Sequence, residues 1–129
     1  MATGFPASTG NVLTAAMFNE LVQYTINTQS GATYTLASTD QYQVLILTSN
    51  ASTKTVSIPT DATTNFGIGT AITIINTGAG LLTINAVTPG TTTVTSAGAT
   101  SASPTVAQHN AAVCIKTAAN TWRVVGSIA

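Results

Sequence analysis

Charge is what this sequence has least of. Only Glu20, Asp40, Lys54, Asp61, Lys116 and Arg123 carry formal charge, and they cancel to a net charge of zero. Charged residues make up 5% of the chain, against about 25% in an ordinary soluble domain. A nucleic-acid groove needs clustered Lys and Arg to displace counterions from phosphates, so no nucleic-acid partner is expected. An acidic, solvating tail is excluded for the same want of charge. Cysteine is nearly absent too: Cys114 is the only one, which rules out an intramolecular disulfide. It sits in the run Ala112-Val113-Cys114-Ile115, where a thiol serves as a small hydrophobe. No stretch approaches the roughly 18 consecutive apolar residues of a membrane-spanning helix, and the start lacks the basic and apolar regions of a signal peptide. No membrane partner is expected, and synthesis should be cytosolic.

What is there is small, neutral and β-forming. Thr, Ala and Ser fill close to half the chain, yet apolar residues reach 44% and the mean hydropathy is +0.37. Disordered chains show the reverse, low hydrophobicity with high net charge. A neutral exterior favours self-association, so the composition points to an oligomer or a lattice in which neighbours cover much of the surface. The 129 residues suit one domain with its own core.

Along the chain, Gly4, Pro6 and Gly10 interrupt any regular period and predict an extended N-terminal arm over residues 1–13. Thr14 offers an N-cap hydroxyl, and Leu13, Met17 and Leu21, spaced by four, predict a short helix. Residues 14–129 then read as a single β-sandwich domain that begins with this helix. Tyr24-Thr25-Ile26 and Tyr34-Thr35-Leu36 alternate as half-buried strands do. Val44-Leu45-Ile46-Leu47 is apolar throughout, the pattern of a strand covered on both faces. Hairpins are expected from residues 44–47 to 53–58, from 71–75 through Gly78-Ala79-Gly80 to 81–84, and from 112–116 through Ala118-Ala119-Asn120 to 122–125. A weaker strand follows Pro89-Gly90 at Thr92-Thr93-Val94. The sum is an all-β fold, an antiparallel β-sandwich with an arm and one short helix; uneven hairpin spacing speaks against a solenoid repeat.

Candidate chemistry is thin. A hydrolytic triad needs a base held against a nucleophile and oriented by a third group, and the only base of that kind is His109, read here as a surface loop histidine. Glu20, Asp40 and Asp61 fall in three separate segments, which does not suit paired-carboxylate glycosidase chemistry. One His and one Cys do not make a zinc site. Gly67-Ile68-Gly69-Thr70 precedes a strand without a following Lys, so it reads as a turn and not as a phosphate cradle. Asn50-Ala51-Ser52, a formal glycosylation sequon, reads as a turn as well. Trp122 alternates with Val124 and is expected in the core. No enzyme activity, cofactor or metal is expected.

Laid in order, these segments resemble the small β-rich surface modules of tailed bacteriophages, found in capsid decoration (cement) proteins and in tail-fibre or tailspike tips. The similar stretches are Gly10-Asn11-Val12-Leu13-Thr14-Ala15-Ala16 with Asn19, the Leu47-Thr48-Ser49-Asn50-Ala51-Ser52 turn with Ile58-Pro59, and Phe66-Gly67-Ile68-Gly69-Thr70 before Ile72-Thr73-Ile74. Gly78-Ala79-Gly80 with Thr83-Ile84, and Ala119-Asn120-Thr121-Trp122 with Val125-Gly126, complete the likeness.

The resemblance implies a trimeric β-sandwich without cofactor, and the chain length favours a decoration protein over a whole fibre. The function expected is that of a virion structural protein on the outer capsid surface, a homotrimer bridging subunits of the major capsid protein. Phe5, Val12, Leu13, Met17, Phe18 and Leu21 are the candidates for oligomer or capsid contact. The alternative is a receptor- or glycan-binding tip that meets host surface polysaccharide through Tyr24, Tyr42 or Trp122.

Overall fold

The fold is known from a computed structural model, which describes Thr14, Ala15 and residues 23–129. The expected arm and helix fall outside the described residues, Thr14 and Ala15 excepted.

Strict alternation of buried and half-buried positions defines most strands. In chain order they are β1 (Thr25–Gln29), β2 (Thr33–Thr35), β3 (Val44–Thr48), β4 (Lys54–Ile58), β5 (Ala71–Asn76), β6 (Leu82–Ala86), β7 (Thr93–Ser96), β8 (Thr105–Val106), β9 (Ala111–Ala118) and β10 (Thr121–Gly126). They form a six-stranded sheet, ordered β1-β3-β5-β9-β10-β7, and a four-stranded sheet, ordered β2-β4-β6-β8. The all-β reading holds; the antiparallel one does not. Among the described residues five of the eight strand pairs are parallel: β1 with β3, β3 with β5, β2 with β4, β4 with β6, and β7 with β10.

The parallel pairs follow from how the chain travels. It crosses from the six-stranded to the four-stranded sheet at β1–β2, again at β3–β4 and again at β5–β6, and each crossing is an arch stacked on the one before. The first two expected hairpins are therefore corrected: their strands face each other across the core instead of pairing edge to edge. This is the geometry of a short β-solenoid, whose coil starts at Thr25, Val44 and Ala71 are spaced too unevenly to show as a sequence repeat.

Backbone hydrogen bonds explain why arches win over hairpins. The turn of the third arch bonds to the second, with Thr77 N and Gly78 N donating to Thr48 O at 2.8 and 3.0 Å and Lys54 N to Leu81 O at 3.0 Å. The second bonds to the first through Ser49 N to Gln29 O at 3.0 Å and Thr55 N to Ala32 O at 2.9 Å. Stacked turns thus satisfy groups that a buried loop would otherwise leave unpaired. The approach is close enough to require glycine, since a Cβ on Gly78 would collide with the Asn50 carbonyl and one on Gly80 with that of Ser52.

The core lies between the sheets. Ile46, Ile72, Ile74 and Cys114 enter it from one side and Val56, Ile58, Leu82 and Ile84 from the other, all essentially without exposure. Trp122 is buried as expected and meets Phe66 edge to face, ring centroids 5.5 Å apart. The third expected hairpin, β9–β10, is present and antiparallel, with Asn120 at φ 48° in its turn. Beyond β5, β9 reverses direction and closes the stack, while β8 does the same on β6. A loop seals this end: His109 N donates to Asn76 O at 2.6 Å, Asn76 N to Asn110 O at 3.0 Å, and the buried Asn76 amide to Gly80 O and Val106 O at 2.9 Å each. The other end, at β1 and β2, has no such closure among the described residues.

The outward faces of the two sheets differ in kind. In the four-stranded sheet, strand register aligns Thr33, Thr55, Thr83 and Thr105 in one row and Thr35, Ser57 and Asn85 in the next. In the six-stranded sheet one row runs Ile26, Leu45, Thr73, Val113, Val125 and a second runs Thr28, Leu47, Ile75, Ala111.

Candidate functional site

At the open end the inward column changes from apolar to polar. Register places Asn27 in line with Ile46 and Ile74, and Tyr34 in line with Val56 and Ile84. A tight 3-10 turn at Ser38–Asp40 folds Asp40 back under this rung, where it is buried. Its carboxylate accepts from the Tyr34 hydroxyl at 2.6 Å, the Asn27 side-chain amide at 2.8 Å and the Ala37 backbone N–H at 2.8 Å. Gln29 Nε2 adds a bond to Asn27 Oδ1 at 2.7 Å. These groups line an open pocket of about 290 Å³ together with Thr25, Thr39 and Val44.

Tyr34 is held protonated: burial first, then its bond to the Asp40 carboxylate, push the phenol up to about 12. At neutral pH it is a hydrogen-bond donor and not a base. The pocket therefore offers amide and hydroxyl groups around one carboxylate, a set suited to holding hydroxyl-bearing groups. Tyr24, 60% exposed, directly precedes β1, and Tyr42, 45% exposed, stands on the left-handed turn (φ 61°) that leads into β3.

A second polar cluster is internal. Lys116, 2% exposed, points inward from β9 and directs its ammonium to Asp61 Oδ1 at 2.8 Å, Phe66 O at 2.7 Å and Asn65 Oδ1 at 3.1 Å. Asp61 Oδ2 accepts from Asn120 N at 2.9 Å, and Asn120 Oδ1 from Asp61 N at 2.9 Å. The hydrogen bond from Lys116 is the main cause that holds the Asp61 carboxyl below its usual value. Lys54, also buried, donates to Asn50 O at 2.7 Å and Gly80 O at 2.8 Å, tying the second turn to the third; burial lowers its pKa.

The residues singled out in the sequence are scattered. Phe5, Val12, Leu13, Met17, Phe18 and Leu21 lie outside the described residues. His109 is exposed in the sealing loop at φ 67°, while Asp40 and Asp61 are bonded into two different clusters. Cys114 is fully buried, and burial pushes its thiol up to about 12. Trp122 is buried and presents no platform to a ligand. No group of three or more His, Cys, Asp or Glu side chains that could hold a metal occurs among the described residues. No helix among them is long and apolar enough to cross a membrane. The Asn27–Tyr34–Asp40 cluster went unread in the sequence, although its signal was there: Asn27 and Gln29 occupy the inward parity of an alternating strand.

Protein-family models, curated proteins and solved structures were each compared with the chain, and none matches it.

Proposed function

We propose that this chain is a virion structural protein: a homotrimeric capsid decoration protein, seated on the outer capsid surface and bridging subunits of the major capsid protein. The observation that carries this reading is where the charges go. Among the described residues, Asp40, Lys54 and Lys116 are buried, Asp61 is paired with Lys116, and Arg123 is the one formally charged side chain that is exposed. Four of the five charges among the described residues are thus spent inside the fold or in an ion pair, leaving the exterior that these residues form with almost none to keep copies apart. Such a body is suited to being covered by neighbours. The likeness to phage surface modules supplies the setting, and three weak contacts per trimer would act together through effective concentration. Bound copies would resist shell expansion without making or breaking a covalent bond.

The test is copy number. In purified particles the protein should be among the most abundant bands, in a fixed ratio to the major capsid protein. A scarce band that co-purifies with tails would overturn the reading.

One observation favours the alternative of a glycan-binding tip: the open-end pocket, with planar amides of Asn27 and Gln29 and the Asp40 carboxylate, and with exposed Tyr24 next in sequence to its lining residue Thr25. Retention on immobilised host polysaccharide that is lost in Asn27→Ala would support it; equal elution of both proteins with the void would remove it.

A further inference from the structure

We propose that Lys116 and Asn65 join in an internal isopeptide bond, the lysine amine displacing ammonia from the asparagine amide with Asp61 as the proton carrier. Lys116 is a nucleophile that the fold holds in one place. It is 2% exposed, and the three protons of its ammonium meet three acceptors: Asp61 Oδ1 at 2.8 Å, Phe66 O at 2.7 Å and Asn65 Oδ1 at 3.1 Å. The contact with Asn65 is the reactive one, because Cγ lies no more than one carbonyl bond, about 1.2 Å, beyond its oxygen. Holding two reacting groups at such a separation turns an encounter between molecules into a step within one.

Two acyl groups touch the lysine nitrogen, and their chemistry selects Asn65. Asp61 is ionised, its carboxyl held below the usual value chiefly by the bond from Lys116, and a carboxylate resists attack by an amine. The Asn65 amide is neutral and is polarised by the hydrogen bond that its carbonyl accepts. Asn65 is also exposed, which gives ammonia a route to water, while the burial of Lys116 and Phe66 keeps competing water from the nucleophile.

In the reaction Lys116 first passes one proton along its bond to Asp61. The freed electron pair of the amine attacks Asn65 Cγ, and the carbonyl pair moves to Oδ1. As that pair returns, the Cγ–Nδ2 bond breaks; Asp61 gives its proton to Nδ2 and takes the surplus proton of the attacking nitrogen. This last proton departs with ammonia as ammonium, so Asp61 ends as a carboxylate that accepts from the new amide N–H and from Asn120 N. No oxidant or cofactor is consumed. The first transfer runs against the preference of the ion pair, so the chain folds with the pair intact and the bond forms afterwards, slowly, drawn forward by the loss of ammonium. The product links residues 51 apart in sequence, and closing a loop of that length constrains the unfolded chain.

The experiment is intact mass spectrometry of the full chain, freshly refolded and again after days at mildly alkaline pH, followed by peptide mapping. The fresh chain should show the mass of its sequence, and most of the incubated chain a mass lower by about 17 Da, one ammonia. Mapping should find the Lys116 and Asn65 peptides joined, and the melting temperature should rise as the mass falls. Asn65→Ala removes the electrophile at an exposed position and keeps the bonds from Lys116 to Asp61 and Phe66 O, so it should fold, and neither its mass nor its melting temperature should change on incubation. A folded native chain that keeps the full mass throughout overturns the proposal. So does a loss of about 18 Da, one water, which would join Lys116 to Asp61 instead. A loss of ammonia that persists in Asn65→Ala, or that maps to any other residue, overturns it as well.

Discussion

Thr33, Thr55, Thr83 and Thr105 on one sheet and Leu45, Leu47, Ile75 and Val113 on the other hold comparable positions: outward, alternating with core residues, aligned across strands. Thr, Ile and Val all suit strands, so folding alone does not choose between the two sets. Inward, the sheets are alike, each giving aliphatic side chains to one core. The two outward faces therefore differ in chemistry where folding makes the same demand of both, hydroxyls on one and aliphatic groups on the other.

The largest expected effect removes the scaffold that displays both faces. Asp61→Asn would leave the Lys116 ammonium buried without its counter-charge, at a cost of about 3 kcal/mol, read as a lower denaturant midpoint. Both faces should then be lost in one cooperative transition. Two transitions would mean that the sheets are stabilised separately.

Acid should act through the same pair. Because the folded Asp61 pKa lies below its usual 3.8, the unfolded chain takes up the proton first as pH falls, and the slope favours unfolding. The contribution is fully present above that value and lost as pH drops through the folded pKa. A melting temperature that is flat down to pH 2 in the native chain would contradict it.

Gly80→Ala is expected to cost about 1–3 kcal/mol by forcing the third turn off the second. A thermal melt that matches the native protein would show that the turns are not in close contact.

Thr83→Val should change the stability of the protomer least, by less than about 0.5 kcal/mol. It would give the four-stranded sheet some of the chemistry of its partner, and light scattering should detect association beyond the native state. No change in particle size would mean that outward apolar content is not what drives assembly.

Strands were legible where an apolar run or a clean alternation marked them: Val44-Leu45-Ile46-Leu47, Ile72-Thr73-Ile74 and the β9–β10 hairpin stand where the residue pattern puts them. The routing between sheets was not legible. An arch and a hairpin share the same inward parity, and the deciding fact, that Gly78 and Gly80 lie against Asn50 and Ser52, links residues far apart in the chain. The internal lysines could have been read. Lys54 shares parity with Val56 and Ile58, and Lys116 with Ala112 and Cys114, so each had to point inward once its strand was placed. The open-end cluster was harder because Asp40 reaches Asn27 and Tyr34 only through the 3-10 turn. Leu45 and Leu47, read as lying in a strand covered on both faces, are half-buried on the outward face of the six-stranded sheet.

The most direct measurement is side-chain labelling by hydroxyl radicals across a dilution series of the native protein. Ile68, 71% exposed on a loop, serves as an internal reference. At high concentration Leu47, Ile75 and Val113 should be labelled far less than Ile68, and the difference should shrink as dilution releases protomers. Labelling of these three that stays constant relative to Ile68 at every concentration would contradict the account.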